Sequence, residues 1–207
     1  MTTSPTSPSG VRPVIGVDAG SGPLREADHL IHDLVDGLAL PPTTVACTHL
    51  VRTGPRPHLA ATFALPDEDA AREVWRRLVP RLADTAPSAA AAYGVLRHGP
   101  PGPAAAAARA ASEHAHRESG RAVVFPGVDR LAGTVTLERL LARTAIEKVT
   151  VLGTRELPAP ATEIETRAHV RPTWHAGRLT LALTPAPGGR LTPFEVPNPT
   201  PCCADHG

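Results

Sequence analysis

The chain has 207 residues, of which 42% are hydrophobic, and a formal net charge of +1. That length fits one domain or two small ones and allows a real core. Acidic and basic residues are mixed along the chain, with no basic block and no interleaved aromatic platform, which argues against nucleic-acid binding. No stretch approaches the roughly 20 apolar residues of a membrane helix, and no signal peptide is recognisable. We therefore expect a cytoplasmic protein whose three cysteines are free thiols or ligands.

Strands and helices alternate in the first half of the chain, residues 11–98. Apolar runs and period-two alternation indicate strands, whereas apolar residues at three- and four-residue spacing indicate helices. The predicted elements are a strand at 14–17, a helix at 23–38, strands at 43–53 and 58–65 joined as a hairpin, a helix that is N-capped by Asp67 and disturbed at Pro80, and a strand at 91–97. Because strand side chains repeat every two residues, Cys47 and His49 are expected to share a face.

A proline- and glycine-rich break opens the segment at 99–120 and is followed by an alanine-rich helix at 104–118. This helix has almost no large apolar side chains, so we expect a peripheral connector. The second half, residues 121–197, contains further strands, one helix and β-hairpins. Its predicted elements are strands at 122–125, 149–152, 164–171, 179–184 and 191–196, with a helix at 136–143.

This order of elements predicts an α/β or α+β fold, with a mixed sheet, helices packed on it and a β-rich C-terminal third. We expect one compact domain between two tails. Residues 1–10 are predicted to be a disordered tail, and residues 198–207 form a tail rich in cysteine and histidine.

The C-terminal tail carries side chains that bind transition metals. Cys202, Cys203 and His206 offer three ligands, and Asp205 offers a fourth or a supporting carboxylate. If the tail folds back onto the sheet, Cys47 and His49 are the best further donors. This pattern predicts a protein that binds zinc or copper, or that uses its thiols. In the opposing interpretation Cys47 is a small buried hydrophobe, His49 is a satisfied neighbour, and the tail is frayed.

A glycine-rich loop at residues 16–22 suggests a different function. Its Gly20 and Gly22 lie between a strand and a helix, where free backbone N–H groups favour an anion. The loop resembles the first phosphate-binding loop of actin-like sugar kinases and ATPases over about seven residues. The resemblance implies that this segment holds an anionic substrate.

Three side chains near this loop are candidates for acid–base work or for holding a metal. Asp18 ends the strand, where ligand sites of α/β proteins gather. His29 and His32 lie on the following helix, each four residues before an aspartate. An ordinary solvated helix face has the same pattern. The sequence therefore leaves open a small enzyme at this loop, and also a non-catalytic module that binds a protein partner or a second copy of itself.

Overall fold

The computed structural model describes residues 11–54 and 56–197. Four helices pack on one mixed sheet of twelve strands, so the α/β prediction is confirmed. The helices are α1 (Leu24–Gly37), α2 (Glu68–Thr85), α3 (Pro101–Ala115) and α4 (Leu137–Arg143). The strands are β1 (Val14–Ser21), β2 (Val45–Val51), β3 (His58–Ala64), β4 (Ala90–Tyr93), β5 (Leu96–His98), β6 (Arg121–Val124), β7 (Thr134–Thr136), β8 (Lys148–Val151), β9 (Glu163–Glu165), β10 (Thr173–His175), β11 (Arg178–Ala186) and β12 (Arg190–Pro193).

The strand order is β5-β4-β1-β3-β2-β6-β10-β11-β12-β9-β7, and β8 pairs with β11. Elements β1 to β4, with α1 and α2, form a β-α-β-β-α-β unit whose four strands are antiparallel in the order β4-β1-β3-β2. The predicted hairpin of β2 and β3 is present, with Cys47 opposite Thr62. Parallel pairs occur between β8 and β11 and between β9 and β12.

The two faces of the first four strands are covered by different helices. Ile15, Ala61 and Phe63 belong to the core formed with α1 and α2. On the other face, Ala60 packs against α3. Since strand side chains alternate between faces, the residues on the α3 side of β1, β2 and β3 include Gly16, Cys47, His49 and Thr62.

The alanine-rich helix is not peripheral, contrary to the prediction. Its buried residues are Ala104, Ala106, Ala107, Ala110, Ala111 and His114. A Cβ placed on Gly16 would lie 2.1 Å from the Ala107 carbonyl oxygen, so α3 rests almost directly on the backbone of β1. Large apolar side chains are missing because the helix and the sheet are too close to accommodate them.

Two other elements depart from the sequence prediction. Helix α2 continues through Pro80 to Thr85, and its N-terminus is capped as predicted because Asp67 accepts a hydrogen bond from the Ala70 N–H at 2.8 Å. The strand predicted at 91–97 is a hairpin of β4 and β5. Gly94 in its turn has φ +52°, a conformation that glycine adopts without strain.

An ionic network joins α1, β6 and the residues after β12. Arg121 donates to Asp28 at 2.6 Å and to Glu195 at 2.5 Å. Arg171 also donates to Asp28, and His169 contacts Glu195 at 3.0 Å. Burial alone would raise the pKa of Asp28, but the bonds from Arg121 outweigh it and hold that pKa below its usual value. The network places Glu195 next to the start of β6.

Replacing Gly16 tests the close approach of α3. Gly16→Ala puts a methyl group against the Ala107 carbonyl and forces the helix away from β1. We expect the free energy of unfolding to fall by about 1–3 kcal/mol, measured by urea denaturation. Gly22→Ala is the matched control because a Cβ there has no atom within 4 Å. Equal stabilities for the two variants would contradict this account of the packing.

Candidate metal centre

Three metal-ligating side chains meet between the sheet and α3. Cys47 and His49 come from β2, and His114 comes from the last turn of α3. One ligand atom from each lies within 4.8 Å of the other two, and all three residues are buried. The Cys47 sulfur is 3.8 Å from Nε2 of His114. A buried Cys/His/His group of this kind could hold a metal ion.

The local sequence explains why these residues meet. Strand alternation places Cys47 and His49 on the face that α3 covers. On α3, His114 follows Ala107 by seven residues, so it lies on the same side of the helix, two turns on. Since the alanine contact holds the helix close to the sheet, the His114 ring reaches the level of Cys47.

The distances suit a small tetrahedral ion. Zinc binds sulfur at about 2.3 Å and imidazole nitrogen at about 2.0–2.1 Å, which separates two such ligands by about 3.6 Å in a tetrahedron. The observed 3.8 Å between the Cys47 sulfur and His114 is close to that value. The widest separation in the cluster, 4.8 Å at most, requires a contraction of about 1 Å. Thiolate and imidazole are ligand types that zinc and copper both accept.

Thr62 lies between the two histidine rings. Its hydroxyl oxygen is 3.0 Å from Nε2 of His49 and 2.7 Å from Nδ1 of His114. Nδ1 of His49 is 3.2 Å from the Ser119 hydroxyl, which donates to Glu113 at 2.6 Å. Hydrogen bonds to the ring atoms that do not bind the metal orient histidine ligands and strengthen them. Ser119 on His49 and Thr62 on His114 make such bonds to Nδ1, whereas an ion on Nε2 of His49 would replace the contact of that atom with Thr62.

Burial sets the charge of the three donors. It lowers the pKa of His49 to about 4, although the nearby Glu113 carboxylate opposes the change. It also lowers the pKa of His114 to about 3, assisted by the charges of His49, Arg117 and Arg12. Burial raises the pKa of the Cys47 thiol, against smaller opposing effects of Trp174 and Arg121. At neutral pH both rings are therefore neutral and able to bind a cation, and Cys47 must release a proton to do so.

Two clefts reach the cluster from different sides. A cleft of about 740 Å³ is lined by His49, Glu113, Ser119 and Gly120 among others. Another, of about 540 Å³, reaches His114, and Trp174 borders both. Gly120 has φ +124°, and a Cβ there would lie 2.8 Å from the His49 ring. Only glycine fits against the ring in that conformation.

Trp174 closes the cluster on the His114 side. Its ring centre is 6.1 Å from that of His114, and the Arg117 guanidinium lies 5.0 Å above the indole. Within the described part of the chain, the buried indole N–H has no hydrogen-bond acceptor. This N–H can donate to the Cys47 sulfur once that sulfur is a thiolate, which is why Trp174 opposes the rise in the Cys47 pKa.

The predicted metal residues divide into two groups. Cys47 and His49 lie together, and His114 joins them. The remaining predicted ligands, Cys202, Cys203 and His206, and the neighbouring Asp205, lie outside the described residues. His114 was missed because its helix was interpreted as peripheral. Its seven-residue spacing from Ala107 was the signal, since it continues the buried alanine face.

Among the described residues, neither His29 nor His32 shares a hydrogen bond or an ion pair with Asp18. His29 and His32 are exposed on α1, and neither forms an ion pair with Asp33 or Asp36. Asp18 is 1% exposed, and its carboxylate accepts from Nε2 of His58 at 2.9 Å instead. Nδ1 of His58 faces the Arg56 carbonyl at 3.2 Å.

The loop itself binds carboxylates of its own chain. The Gly20 N–H donates to Asp18 at 2.9 Å, and the Gly22 N–H donates to Glu26 at 3.3 Å. These two backbone donors are the groups that would hold an external anion. An anionic substrate would have to displace both carboxylates.

Comparisons with protein-family models, characterised proteins and solved structures give no match for this chain. The site therefore has to be interpreted from its own chemistry.

Among residues 11–54 and 56–197, no helix has both the length and the apolar character to cross a bilayer.

The contact between Asp18 and His58 gives a pH-dependent prediction. The two groups that contact the His58 ring, the Asp18 carboxylate and the Arg56 carbonyl, can only accept hydrogen bonds. Both ring nitrogens therefore donate, and the ring is an imidazolium. The hydrogen bond to Asp18 is the main reason why the pKa of His58 is raised, against the opposing effect of burial. In Asp18→Asn the amide oxygen can still accept the hydrogen bond from the Gly20 N–H, but the negative charge of the side chain is lost. We expect the pKa of His58 to fall, measured by NMR titration of the ring protons.

The sign of the stability change follows from linkage. A raised folded-state pKa stabilises the protein below the unfolded value of about 6.5, and this contribution disappears as the pH rises through the folded value. Asp18→Asn should therefore lower the free energy of unfolding more at about pH 5.5 than at about pH 9. The difference should be roughly 0.2–1 kcal/mol, as for other partly exposed pairs. Asp36→Asn, on the exposed side of α1, is the matched control. An unchanged His58 midpoint in Asp18→Asn would contradict the assignment.

Proposed function

We propose that this protein binds a zinc or copper ion through Cys47, His49 and His114. The observation that carries the proposal is the meeting of three buried donors within 4.8 Å. Burial keeps both imidazoles neutral at pH 7, which is the form that binds a cation. All three donors lie inside the fold, which is typical of ions held for structural locking, sensing or storage.

The fourth ligand of this ion is proposed to come from the C-terminal tail. Glu195 is held by Arg121, which lines the same cleft as His49. Cys202 follows Glu195 by seven residues, a length of chain that spans up to about 23 Å. We propose that Cys202 or Cys203 is this ligand, which gives a set of two sulfurs and two nitrogens. That set is typical of structural zinc sites.

Metal analysis tests the site. Protein purified without an affinity tag is expected to carry one ion per chain by mass spectrometry of its metal content. Cys47→Ser and His114→Gln remove a donor and should reduce affinity by more than the roughly 10–100-fold that losing a supporting partner costs. His32→Gln, on the exposed face of α1, is the control for histidine loss. No metal in the unaltered protein, even after incubation with zinc or copper(I), would overturn the proposal.

Two further measurements separate ligation from an effect on folding. Cobalt(II) bound to the unaltered protein should show thiolate-to-cobalt absorption that is weaker in Cys47→Ser, where only a tail cysteine is left to supply a thiolate. A metal that binds only the folded state raises its stability by about 2.7 kcal/mol at a hundred times the dissociation constant. At the same zinc concentration, thermal unfolding should therefore shift upward in the unaltered protein and in His32→Gln, and shift much less in Cys47→Ser.

The tail is tested independently of the buried donors. If it supplies the fourth ligand, the double variant Cys202→Ser and Cys203→Ser should bind the ion more weakly but still show the absorption due to Cys47. Equal affinity in the double variant would remove the tail from the site and leave the three buried donors.

A further inference from the structure

A continuous chain of hydrogen bonds runs from the buried thiol to a carboxylate at the edge of the larger cleft. Its members, in order, are Cys47, His114, Thr62, His49, Ser119 and Glu113. The successive contacts measure 3.8, 2.7, 3.0, 3.2 and 2.6 Å. Glu113 is half-buried, whereas Cys47, Thr62, His49 and His114 are buried.

One arrangement of protons satisfies every contact in this chain. The Glu113 carboxylate can only accept, so the single hydroxyl proton of Ser119 points to it. Ser119 must then accept from Nδ1 of His49. His49 is 4% exposed, and burying a charged ring is costly, so its Nε2 has a lone pair and accepts the hydroxyl proton of Thr62.

The same reasoning continues into the cluster. Thr62 has used its only proton, so it accepts from Nδ1 of His114. Nε2 of this neutral ring then has a lone pair, which faces the S–H group of Cys47. The direction of all five contacts therefore follows from the charge at one end.

We propose that Glu113 is a positioning residue, which fixes the tautomer of both buried histidines through Ser119 and Thr62. Each ring then carries its proton on Nδ1 and keeps Nε2 unprotonated. The assignment of the tautomers does not depend on the proposed metal site. Only their role rests on the proposed function, since an ion binds to an unprotonated nitrogen. Without a pure acceptor at position 113, the chain can run in the opposite direction. Both Nε2 atoms would then carry protons, which an ion bound at those atoms would have to displace.

The variant Glu113→Gln tests this directly. Its amide can donate to Ser119, which frees the Ser119 proton for Nδ1 of His49 and permits the reversed chain. Long-range proton–nitrogen NMR of the metal-free protein distinguishes the two tautomers of each ring. We expect His49 and His114 to be protonated on Nδ1 in the unaltered protein, and to show protonated Nε2 in Glu113→Gln. Glu118→Gln is the matched control, because Glu118 lines the same cleft but does not belong to the chain.

A second variant examines the link between the rings. Thr62→Val keeps the shape of the side chain and removes its hydroxyl group. In that background, Glu113→Gln should change the tautomer of His49 and leave His114 unaffected. A change at both rings would contradict the proposed route through Thr62.

The outcomes separate this inference from the proposed function. Unchanged tautomers in Glu113→Gln would overturn the inference, whether or not metal binds. Changed tautomers support it even in a protein that binds no metal, in which case only the proposed function fails. Where metal does bind, Glu113→Gln should also weaken zinc affinity by about 10–100-fold, the usual cost of losing a supporting partner.

Discussion

The contact between Gly16 and the Ala107 carbonyl determines where the donor atoms of the site lie. A side chain at position 16 would push α3 away from the sheet, because its Cβ would lie 2.1 Å from that carbonyl oxygen. At the present separation, His114 lies within reach of Thr62 and Cys47. The alanine-rich face of α3 therefore allows the helix to pack closely on the sheet, and this close packing brings three polar side chains together in the interior.

Without its hydrogen bonds, the buried cluster would destabilise the fold. Burying a polar group with no partner costs about 1–3 kcal/mol, and four polar side chains are buried together here. The Thr62 hydroxyl contacts both rings, and Ser119 connects His49 to a carboxylate that touches solvent. Two imidazoles and a thiol are therefore stable inside the fold while remaining uncharged.

The sequence predicted the fold better than the site. Periodicity located the hairpin of β2 and β3, and with it the shared face of Cys47 and His49, because strand alternation is a local property. It misjudged α3, since alanine spacing does not reveal how near a helix lies to a sheet. His114 was consequently missed, and Thr62 carried no signal at all. Asp18 was noticed, but its partner His58 lies forty residues away on a neighbouring strand, a distance that only tertiary pairing closes.

The position of Trp174 gives the molecule an optical reporter of its own interior. The chain has two tryptophans, and Trp75 packs near Tyr93 on the side of the sheet that α2 covers. Trp174 instead lies beside the His114 ring, tilted by 46° relative to it, and borders both clefts. Since an excited indole is quenched by nearby cationic rings and by copper, its emission should depend on the state of the cluster. With Trp75 replaced by phenylalanine, fluorescence from the one remaining indole would follow events at Cys47, His49 and His114 in real time.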